Sequence, residues 1–297
     1  MQDEKQSMMT RSEDVCAGIV LYNPDVSRLQ LSISAISKQV DAVVLVDNGS
    51  DNNVEIKKVV EVFPDISLIS LQENMGIAYA LNKICEYSAN HHSKWAFTLD
   101  QDTICPPDII QKLLMSADGE NDGIVCPAVY YEGLDVDTRK RSKEEVEIVK
   151  ACMTSASLTN LNAWREVGGF NNSYFMDYVD NDFCMKLNLH NYIIKRVNSC
   201  IIYHQLGDTR TISILGKSYK GTSHSPLRCY YMMRNNILFL KEYKSNLPLC
   251  KEIVKVLYVA YNELIFSKNK WKTFAMVNKG IRDGLRGISG KYIEKLI

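Results

Sequence analysis

Residues 95–103 read WAFTLDQDT, an apolar run that ends in two carboxylates spaced one residue apart. Side chains at positions i and i+2 of an extended segment point to the same side, so Asp100 and Asp102 are expected to be neighbours. Two like charges this close repel each other, and they become useful when a divalent cation lies between them and a bound diphosphate. A solvated Asp-x-Asp turn is the alternative, and this stretch alone leaves both interpretations open.

The stretch belongs to a series of apolar runs that alternate with helical patterns. Buried strands are predicted at residues 15–22, 42–46, 66–71, 94–99 and 123–129, with helices of three-to-four spacing between them. Alternation with short connections requires a mostly parallel, doubly wound α/β sheet. The loops that follow the strands of such a sheet converge at one edge, where ligands bind.

The regular alternation ends near residue 130. Residues 132–147 predict a surface loop, and strand segments are predicted within 146–159 and 192–203, separated by a helix at 180–190. Residues 209–225 are polar and contain glycine, which predicts a mobile loop. From residue 226 the pattern is helical to the end.

Composition places the chain among globular proteins. Its 297 residues are 46% apolar and 24% charged, enough for one large domain with an appendage or for two domains. The formal net charge is zero, so no nucleic-acid partner is expected. The charge is uneven, because residues 241–297 carry twelve Lys and Arg against five acidic residues, a local excess of +7.

Cysteine usage and hydropathy bear on location. Nine cysteines, none in a CxxC pair and most inside apolar runs, predict free thiols in a reducing cytosol. No apolar run approaches the roughly 18–20 residues of a membrane span, and no apolar signal segment is visible near residue 1. We therefore expect neither an exported nor an integral membrane protein.

Polar residues at the predicted strand ends are the first candidates for ligand binding. Asp47 follows four apolar residues, so its carboxylate could accept a hydrogen bond from a nucleotide base, although a turn-forming Asp-Asn-Gly is equally consistent. Neither a G-x-G-x-x-G turn nor a P-loop is present. A nucleotide diphosphate would therefore depend on a metal at Asp102.

An acidic cluster and one histidine are the remaining candidates. Asp180 and Asp182 lie at the start of a predicted helix, where carboxylates cap free N–H groups. One of them could instead be a general base, its pKa raised by nearby acids. His204 ends an apolar strand and is either structural or, with Asp102, part of a ligand set suited to Mg²⁺ or Mn²⁺.

Taken in order, these motifs resemble the family-2 glycosyltransferases with the GT-A fold. The first four pieces are residues 21–24 (LYNP), 46–50 (VDNGS), 74–82 (NMGIAYALN) and 99–103 (LDQDT). The LDQD form, with residues 178–184 (YVDNDFC), 203–207 (YHQLG) and 228–235 (RCYYMMRN), is similar to the bacterial rhamnosyltransferase branch. The resemblance covers about residues 15–243.

The resemblance implies an inverting transferase that uses dTDP-L-rhamnose and a divalent cation, Mg²⁺ or Mn²⁺. Carried over by position, it assigns the nucleotide sugar to Tyr22, Asn23, Asp47, Asn74, Gly76, Asn82, Asp100, Gln101, Arg228 and Arg234. It assigns the metal to Asp102 and His204. Asp180 would be the base, with Asp182 as the other candidate, because Val179 and Lys186 replace the family's usual Glu and Arg. Arg228 and Arg234 would assist the diphosphate or form only salt bridges.

The same resemblance sets the expected organisation and partners. We predict a disordered N-terminus (1–14), a nucleotide-sugar-binding half (15–130), an acceptor-binding half (131–243) and basic amphipathic helices (244–297). The acceptor would be a polyprenyl-diphosphate-linked oligosaccharide of an O-antigen or capsule, at the cytoplasmic face of a bacterial plasma membrane. The alternatives are a UDP-hexose or UDP-galactofuranose transferase and a non-catalytic nucleotide-sugar-binding protein.

The C-terminal helices have two interpretations. Their apolar positions are Ile253, Val256, Leu257, Leu264, Ile265, Phe266 and Phe274. They could form an ordinary solvated helical pair, or dock on anionic inner-membrane lipid.

Overall fold

The computed structural model describes residues 12–132, 144–205, 209–214 and 217–294. The first half alternates strand and helix as predicted: β1 (Ser12–Leu21), α1 (Val26–Ile36), β2 (Val40–Asp47), α2 (Asn53–Val62), β3 (Ile66–Ser70), α3 (Ile77–Asn90), β4 (Trp95–Asp100), α4 (Ile109–Leu114) and β5 (Asp122–Glu132). The second half adds β6 (Val146–Ile148), β7 (Ser157–Asn160), α5 (Leu161–Glu166), α6 (Val179–Leu189), β8 (Ile193–Gln205), β9 (Thr209–Ile214), β10 (Lys217–Thr222), α7 (Pro226–Glu242), α8 (Leu249–Phe266) and α9 (Lys270–Leu285).

Eight strands form one sheet in the order β3-β2-β1-β4-β7-β5-β8-β6. The pairs among β3, β2, β1 and β4 are parallel, as is β5 with β8. The short β7 lies antiparallel between β4 and β5, and β6 is antiparallel to β8. The predicted fold class, a mostly parallel α/β sheet flanked by helices, is confirmed.

Both faces of the sheet are buried, which explains the continuous apolar run of β1. Ala17, Ile19 and Leu21 pack with α1, α2 and α4 in one core. Cys16 belongs to a second core on the other face, with α3 and α6. The nine cysteines are free thiols, and Cys250 alone among them is exposed.

The prediction of a mobile loop at residues 209–225 is wrong. Residues 209–214 and 217–222 pair as an antiparallel hairpin of β9 and β10. Antiparallel pairs tolerate a polar, solvated face, so the polar composition concealed a strand preference carried by Thr211 and Ile212.

The C-terminal helices pack on one another around a small separate core. Cys229 and Met233 of α7 meet Val256 of α8 and Val277 of α9 there. Across the described ranges, none of the helices combines the length and the apolar character that crossing a membrane demands. The domain division at residue 243 stays a prediction.

Gly18 lies in the middle of β1, where Ile84 of α3 packs against the strand. A Cβ at this position would overlap the side chain of Ile84. Since a packed core yields little, we expect Gly18→Ala to lower the free energy of unfolding by about 1–3 kcal/mol, measured by urea denaturation. In an Ile84→Ala background, Gly18→Ala should lower the free energy of unfolding by less. An equal loss in both backgrounds would contradict overlap with Ile84 as the cause.

Candidate functional site

The carboxyl ends of β1, β2 and β4 meet the amino ends of α3 and α7 at one edge of the sheet. A cavity of about 450 Å³ lies there, hereafter the sheet-edge cavity, and the following residues line it: Val20, Tyr22, Asn48, Asn74, Ile77, Asp100, Gln101, Asp102, Phe175, Met176, Asp177 and Arg228. Six predicted site residues are among them: Tyr22, Asn74, Asp100, Gln101, Asp102 and Arg228.

Asn48 joins two of the loops that form this cavity. Its buried amide nitrogen donates to Asn74 Oδ1 and to the Gly76 carbonyl oxygen, each at 3.2 Å. Its amide oxygen accepts the Met75 N–H at 2.9 Å. The resemblance assigned Asn48 no role, and in the structure these bonds fix the loop before α3.

Gly76 ends that loop with a backbone conformation that favours glycine, φ 92°. A Cβ here would lie 2.7 Å from the Phe175 carbonyl oxygen. That oxygen accepts the Ile77 N–H at 2.9 Å, which ties α3 to the cavity wall. Gly76 thus permits a close backbone contact beside the cavity.

Asn23 and Asp47 fasten the loops after β1 and β2 to each other. Asp47 Oδ1 accepts the Ser50 N–H at 3.0 Å, the geometry of an Asp-Asn-Gly turn. The Asn23 N–H donates to Ser50 Oγ at 2.9 Å, and Asn23 Oδ1 accepts the Asp51 N–H at 2.7 Å. Neither Asn23 nor Asp47 is among the residues that line the sheet-edge cavity, and their contact with a nucleotide stays a prediction.

The segment from Asp100 to Asp102 is held from three directions. The Asp100 N–H donates to Ser155 Oγ at 3.1 Å. Gln101 Oε1 accepts the Tyr22 N–H at 2.8 Å, and Arg28 Nε donates to the Asp102 carbonyl oxygen at 2.7 Å. The backbone is therefore fixed while both carboxyl-bearing residues line the cavity.

Asp180 and Asp182 face opposite sides of α6, because two residues advance a helix by about 200°. Asp180 lines a second cavity of about 400 Å³, hereafter the β5–α6 cavity, together with Cys152, Met153 and Arg196. Thr154 Oγ1 donates to Asp180 Oδ1 at 2.8 Å. Burial raises the pKa of Asp180 to about 6; the bond from Thr154 opposes this rise, and the charge of Asp100 adds to it.

Asp182 is completely buried and has structural partners. Its Oδ1 accepts the Tyr243 hydroxyl at 2.8 Å, and its Oδ2 lies 3.3 Å from Lys186 Nζ. The sequence left the choice between Asp180 and Asp182 open; Asp180 lines the β5–α6 cavity, whereas Asp182 is completely buried. Lys186, which replaces the expected Arg, is the ion-pair partner of Asp182.

The structure does not bring Asn82 and Arg234 to the sheet-edge cavity. Asn82 bonds α5 and the segment after it through both amide atoms: its Oδ1 accepts from Trp164 Nε1 and the Phe170 N–H, and its Nδ2 donates to the Phe170 carbonyl oxygen. Arg234 is completely buried and donates to Asn235 Oδ1 at 2.9 Å and to the Gly290 carbonyl oxygen at 2.6 Å. Both hold the scaffold together.

The sheet-edge cavity offers oxygen ligands of the kind Mg²⁺ and Mn²⁺ prefer. Asp102 lines it, and Asp177 Oδ2 is buried and has no hydrogen-bond partner among the residues that the structure describes. The backbone of His204 lies in β8 opposite Tyr131, and its side chain is outside the described residues. Among the side chains that are described, no three of the His, Cys, Asp and Glu type cluster as a ready metal site.

Comparison with known proteins places these features in context. The pattern of glycosyl transferase family 2 matches residues 16–183. A dTDP-rhamnosyl transferase, RfbF of Shigella flexneri, is 27% identical over 297 residues, which cover 94% of this chain and 98% of that protein.

Two solved structures share the fold. The mannosyltransferase PcManGT from Pyrobaculum calidifontis, in complex with GDP-Man and Mn²⁺, matches with a TM-score of 0.57 and 11% identity over 95% of this chain and 79% of that one. GalNAc-T7 with UDP, GalNAc and Mn²⁺ matches with a TM-score of 0.58 and 10% identity over 96% of this chain and 57% of that one. Both support the GT-A type of sheet predicted from the sequence.

The two aspartates of α6 should differ in their effect on stability. Asp182→Ala leaves the buried Tyr243 hydroxyl without its acceptor and removes the carboxylate beside Lys186, which keeps its bond to the Gly169 carbonyl oxygen, so we expect a loss of about 1–3 kcal/mol in the free energy of unfolding. Asp180→Asn keeps an acceptor for Thr154 and should not destabilise the fold.

The pH dependence of stability gives a second readout. The pKa of Asp180 rises from its ordinary 3.8 to about 6 in the folded protein, so its contribution to stability is full below about pH 4 and is lost as pH rises through about 6. Asp180→Asn should therefore gain stability over the parent protein in urea unfolding at about pH 8 and not at about pH 4. A destabilised Asp180→Asn at the higher pH would refute the assignment.

Proposed function

Because this chain belongs to glycosyl transferase family 2, we propose that it is an inverting enzyme that transfers L-rhamnose from dTDP-L-rhamnose to a lipid-linked glycan. The donor is supported by the dTDP-rhamnosyl transferase of Shigella flexneri, which aligns along nearly the whole of both chains. The product would be a unit of a surface polysaccharide, an O-antigen or a capsule.

One observation carries the mechanism: a carboxyl group with a raised pKa lines one cavity, and its charge interacts with a carboxyl group that lines the other. Asp180 lines the β5–α6 cavity, and its charge interacts with that of Asp100, which lines the sheet-edge cavity. Ser155 borders the β5–α6 cavity and accepts the Asp100 N–H. A donor in the sheet-edge cavity and an acceptor sugar in the β5–α6 cavity would therefore meet at Asp180.

In this proposal Asp180 is the general base. An acceptor hydroxyl is a weak nucleophile at neutral pH, and a base with a pKa near 6 can accept its proton as the new bond forms. The hydroxyl oxygen bonds to the anomeric carbon while the bond to the diphosphate breaks on the opposite face. One step therefore inverts the anomeric centre, and the nucleoside diphosphate leaves with the bonding electron pair.

The lining of the sheet-edge cavity would bind the donor. We assign the base and ribose to Tyr22, Asn74, Asp100 and Gln101, and the diphosphate to the neighbourhood of Arg228. Asp102, with His204 as the second predicted ligand, would hold Mg²⁺ or Mn²⁺. When bound, that cation supplies positive charge to stabilise the leaving diphosphate.

The acceptor and the cellular location complete the proposal. A polyprenyl-diphosphate-linked oligosaccharide would reach the enzyme at the cytoplasmic face of the plasma membrane. The +7 excess of residues 241–297 supports attraction to that anionic surface.

Transfer from dTDP-L-rhamnose in the presence of Mn²⁺ tests the function directly. We expect release of dTDP, loss of activity on adding EDTA, and a fall in kcat of about 10²–10⁴-fold in Asp180→Asn, because the base is removed. Donor binding, measured by calorimetry, should survive that change. The matched control adds Asn181→Asp to the Asp180→Asn variant. It places a carboxyl group at the adjacent helix position and should not restore turnover.

The assay also separates the alternatives. Turnover with a UDP-hexose or UDP-galactofuranose, and none with dTDP-L-rhamnose, would show that the donor is a UDP-sugar and not the proposed dTDP-L-rhamnose. Binding of dTDP without turnover of any sugar nucleotide would make the chain a binding protein.

Thr154 gives a test of how Asp180 is tuned. Its hydroxyl donates to the carboxylate and so lowers the pKa of Asp180 against the larger effect of burial. Thr154→Val should raise that pKa further and shift the acidic limb of the kcat/KM profile upward by about one pH unit. Thr154→Ser should restore the profile, and an unchanged limb in Thr154→Val would exclude Asp180 as the group that titrates.

A further inference from the structure

Helix α8 exposes apolar side chains on its outward face. Ile253, Val254, Leu257, Tyr258 and Tyr261, hereafter the outer strip, are between 51% and 67% exposed. At about 100° per residue they span an arc of about 140°. A solvated helix would carry polar residues there, so this face is built for contact with something apolar.

The opposite face of α8 is already occupied by the protein. Val256, Glu263 and Phe266 are buried. Glu263 accepts from His224 at 2.7 Å, and the Phe266 carbonyl oxygen accepts from Arg210 of β9 at 3.0 Å. The helix is therefore fixed in orientation, and the outer strip is held away from the core.

The start of α9, which follows α8 in the chain, also exposes apolar side chains. Trp271 is 85% exposed and Phe274 is half-exposed. Tyrosine and tryptophan rings combine an apolar body with a polar tip, which suits a boundary between hydrocarbon and water. Five aliphatic and aromatic side chains on α8 and two at the start of α9 are thus exposed apolar groups on consecutive helices.

The charges beside this surface are basic. Lys251 and Lys255 border the outer strip on α8, and Lys268, Lys270 and Lys272 are exposed at the turn into α9. Of the acidic residues of α8, Glu252 pairs with Lys255 at 2.6 Å and Glu263 is buried against His224. A second copy of the chain would bring like charges together, whereas an anionic surface would neutralise them.

We propose that the outer strip, with Trp271 and Phe274, is a docking surface for anionic phospholipid, on which α8 lies in the plane of the membrane interface. This docking surface adds detail to the proposed membrane location. It rests on the proposed function in one respect, that the acceptor lipid would lie in the same membrane. The geometry corrects the sequence-based set, because Val256 and Phe266 point inward while Val254, Tyr258 and Tyr261 point outward.

A short segment of the chain links α8 to the sheet-edge cavity. Glu263 of α8 binds His224, and the chain continues from there into α7, whose residue Arg228 lines the sheet-edge cavity. Three residues separate His224 from Arg228 along the chain. The surface that binds lipid and the cavity proposed for the donor are thus linked through one short segment.

Flotation of the full chain with phosphatidylglycerol–phosphatidylcholine vesicles tests the proposal. Ile253→Ser/Leu257→Ser should lower the coefficient for partitioning of the protein from solution onto the vesicles by about tenfold or more. The control Leu31→Ser/Val62→Ser removes two equally exposed apolar side chains of α1 and α2 and should bind like the parent. Lys270→Gln/Lys272→Gln should weaken binding to the anionic vesicles, and pure phosphatidylcholine should bind less than the mixture.

Three further measurements complete the test. Thermal melting should show that the surface variants remain folded, and dTDP binding by these variants should equal that of the parent. These two measurements distinguish a wrong donor assignment from a wrong docking surface. Equal vesicle binding by Ile253→Ser/Leu257→Ser and the parent would overturn the proposal. A parent dimer in sedimentation that this variant dissociates, without vesicle binding, would assign the surface to a second copy of the chain instead.

Discussion

The hydrogen bond from Thr154 to Asp180 depends on the direction of one short strand. Because β7 runs antiparallel between β4 and β5, its amino end lies beside the carboxyl end of β4, where Ser157 pairs with Thr98. The residues just before β7 therefore reach the ligand edge of the sheet. Thr154 donates to Asp180, and Ser155 accepts the Asp100 N–H. A single segment thus positions the aspartates of both cavities. Its backbone is held in turn by the Thr98 hydroxyl, which donates to the Thr154 carbonyl oxygen at 2.6 Å.

The sequence predicts the parts of this arrangement that are local. Apolar runs and the polar residues that end them place Tyr22, Asn74 and Asp102 at one sheet edge, because the rule for parallel strands needs no knowledge of partners. The direction of β7 depends on pairing with β4, about 60 residues away, which a pattern of polar and apolar residues does not specify. The β9–β10 hairpin is local, but its polar composition does not distinguish a solvated hairpin from a loop. The distinction between Asp180 and Asp182 depends on what packs against each face of α6, and Tyr243, which binds Asp182, lies 61 residues away.

Several polar residues in the recognised motifs act on the cavity through the backbone. Asn235 donates to the carbonyl oxygens of Met176 and Asp177, at 2.6 and 3.1 Å. Asp177 and Tyr178 both adopt positive φ angles, 60° and 67°, which cost free energy unless neighbours hold them. Motif membership predicted ligand contact for Arg234, yet its bonds to Asn235 and Gly290 make it a support for the wall that carries Asp177.

The charge of the sheet-edge cavity favours a donor that arrives with a cation. Asp100, Asp102 and Asp177 line it, against one arginine, Arg228. That arginine is itself partly neutralised, since its guanidinium lies 3.1 Å from Asp177 Oδ1. A diphosphate entering alone would meet more like charge than opposite charge, and no glycine-rich phosphate loop offers backbone N–H groups in compensation. Within the proposed function, binding of the nucleotide and of the divalent cation would then strengthen each other, because each removes the repulsion that opposes the other.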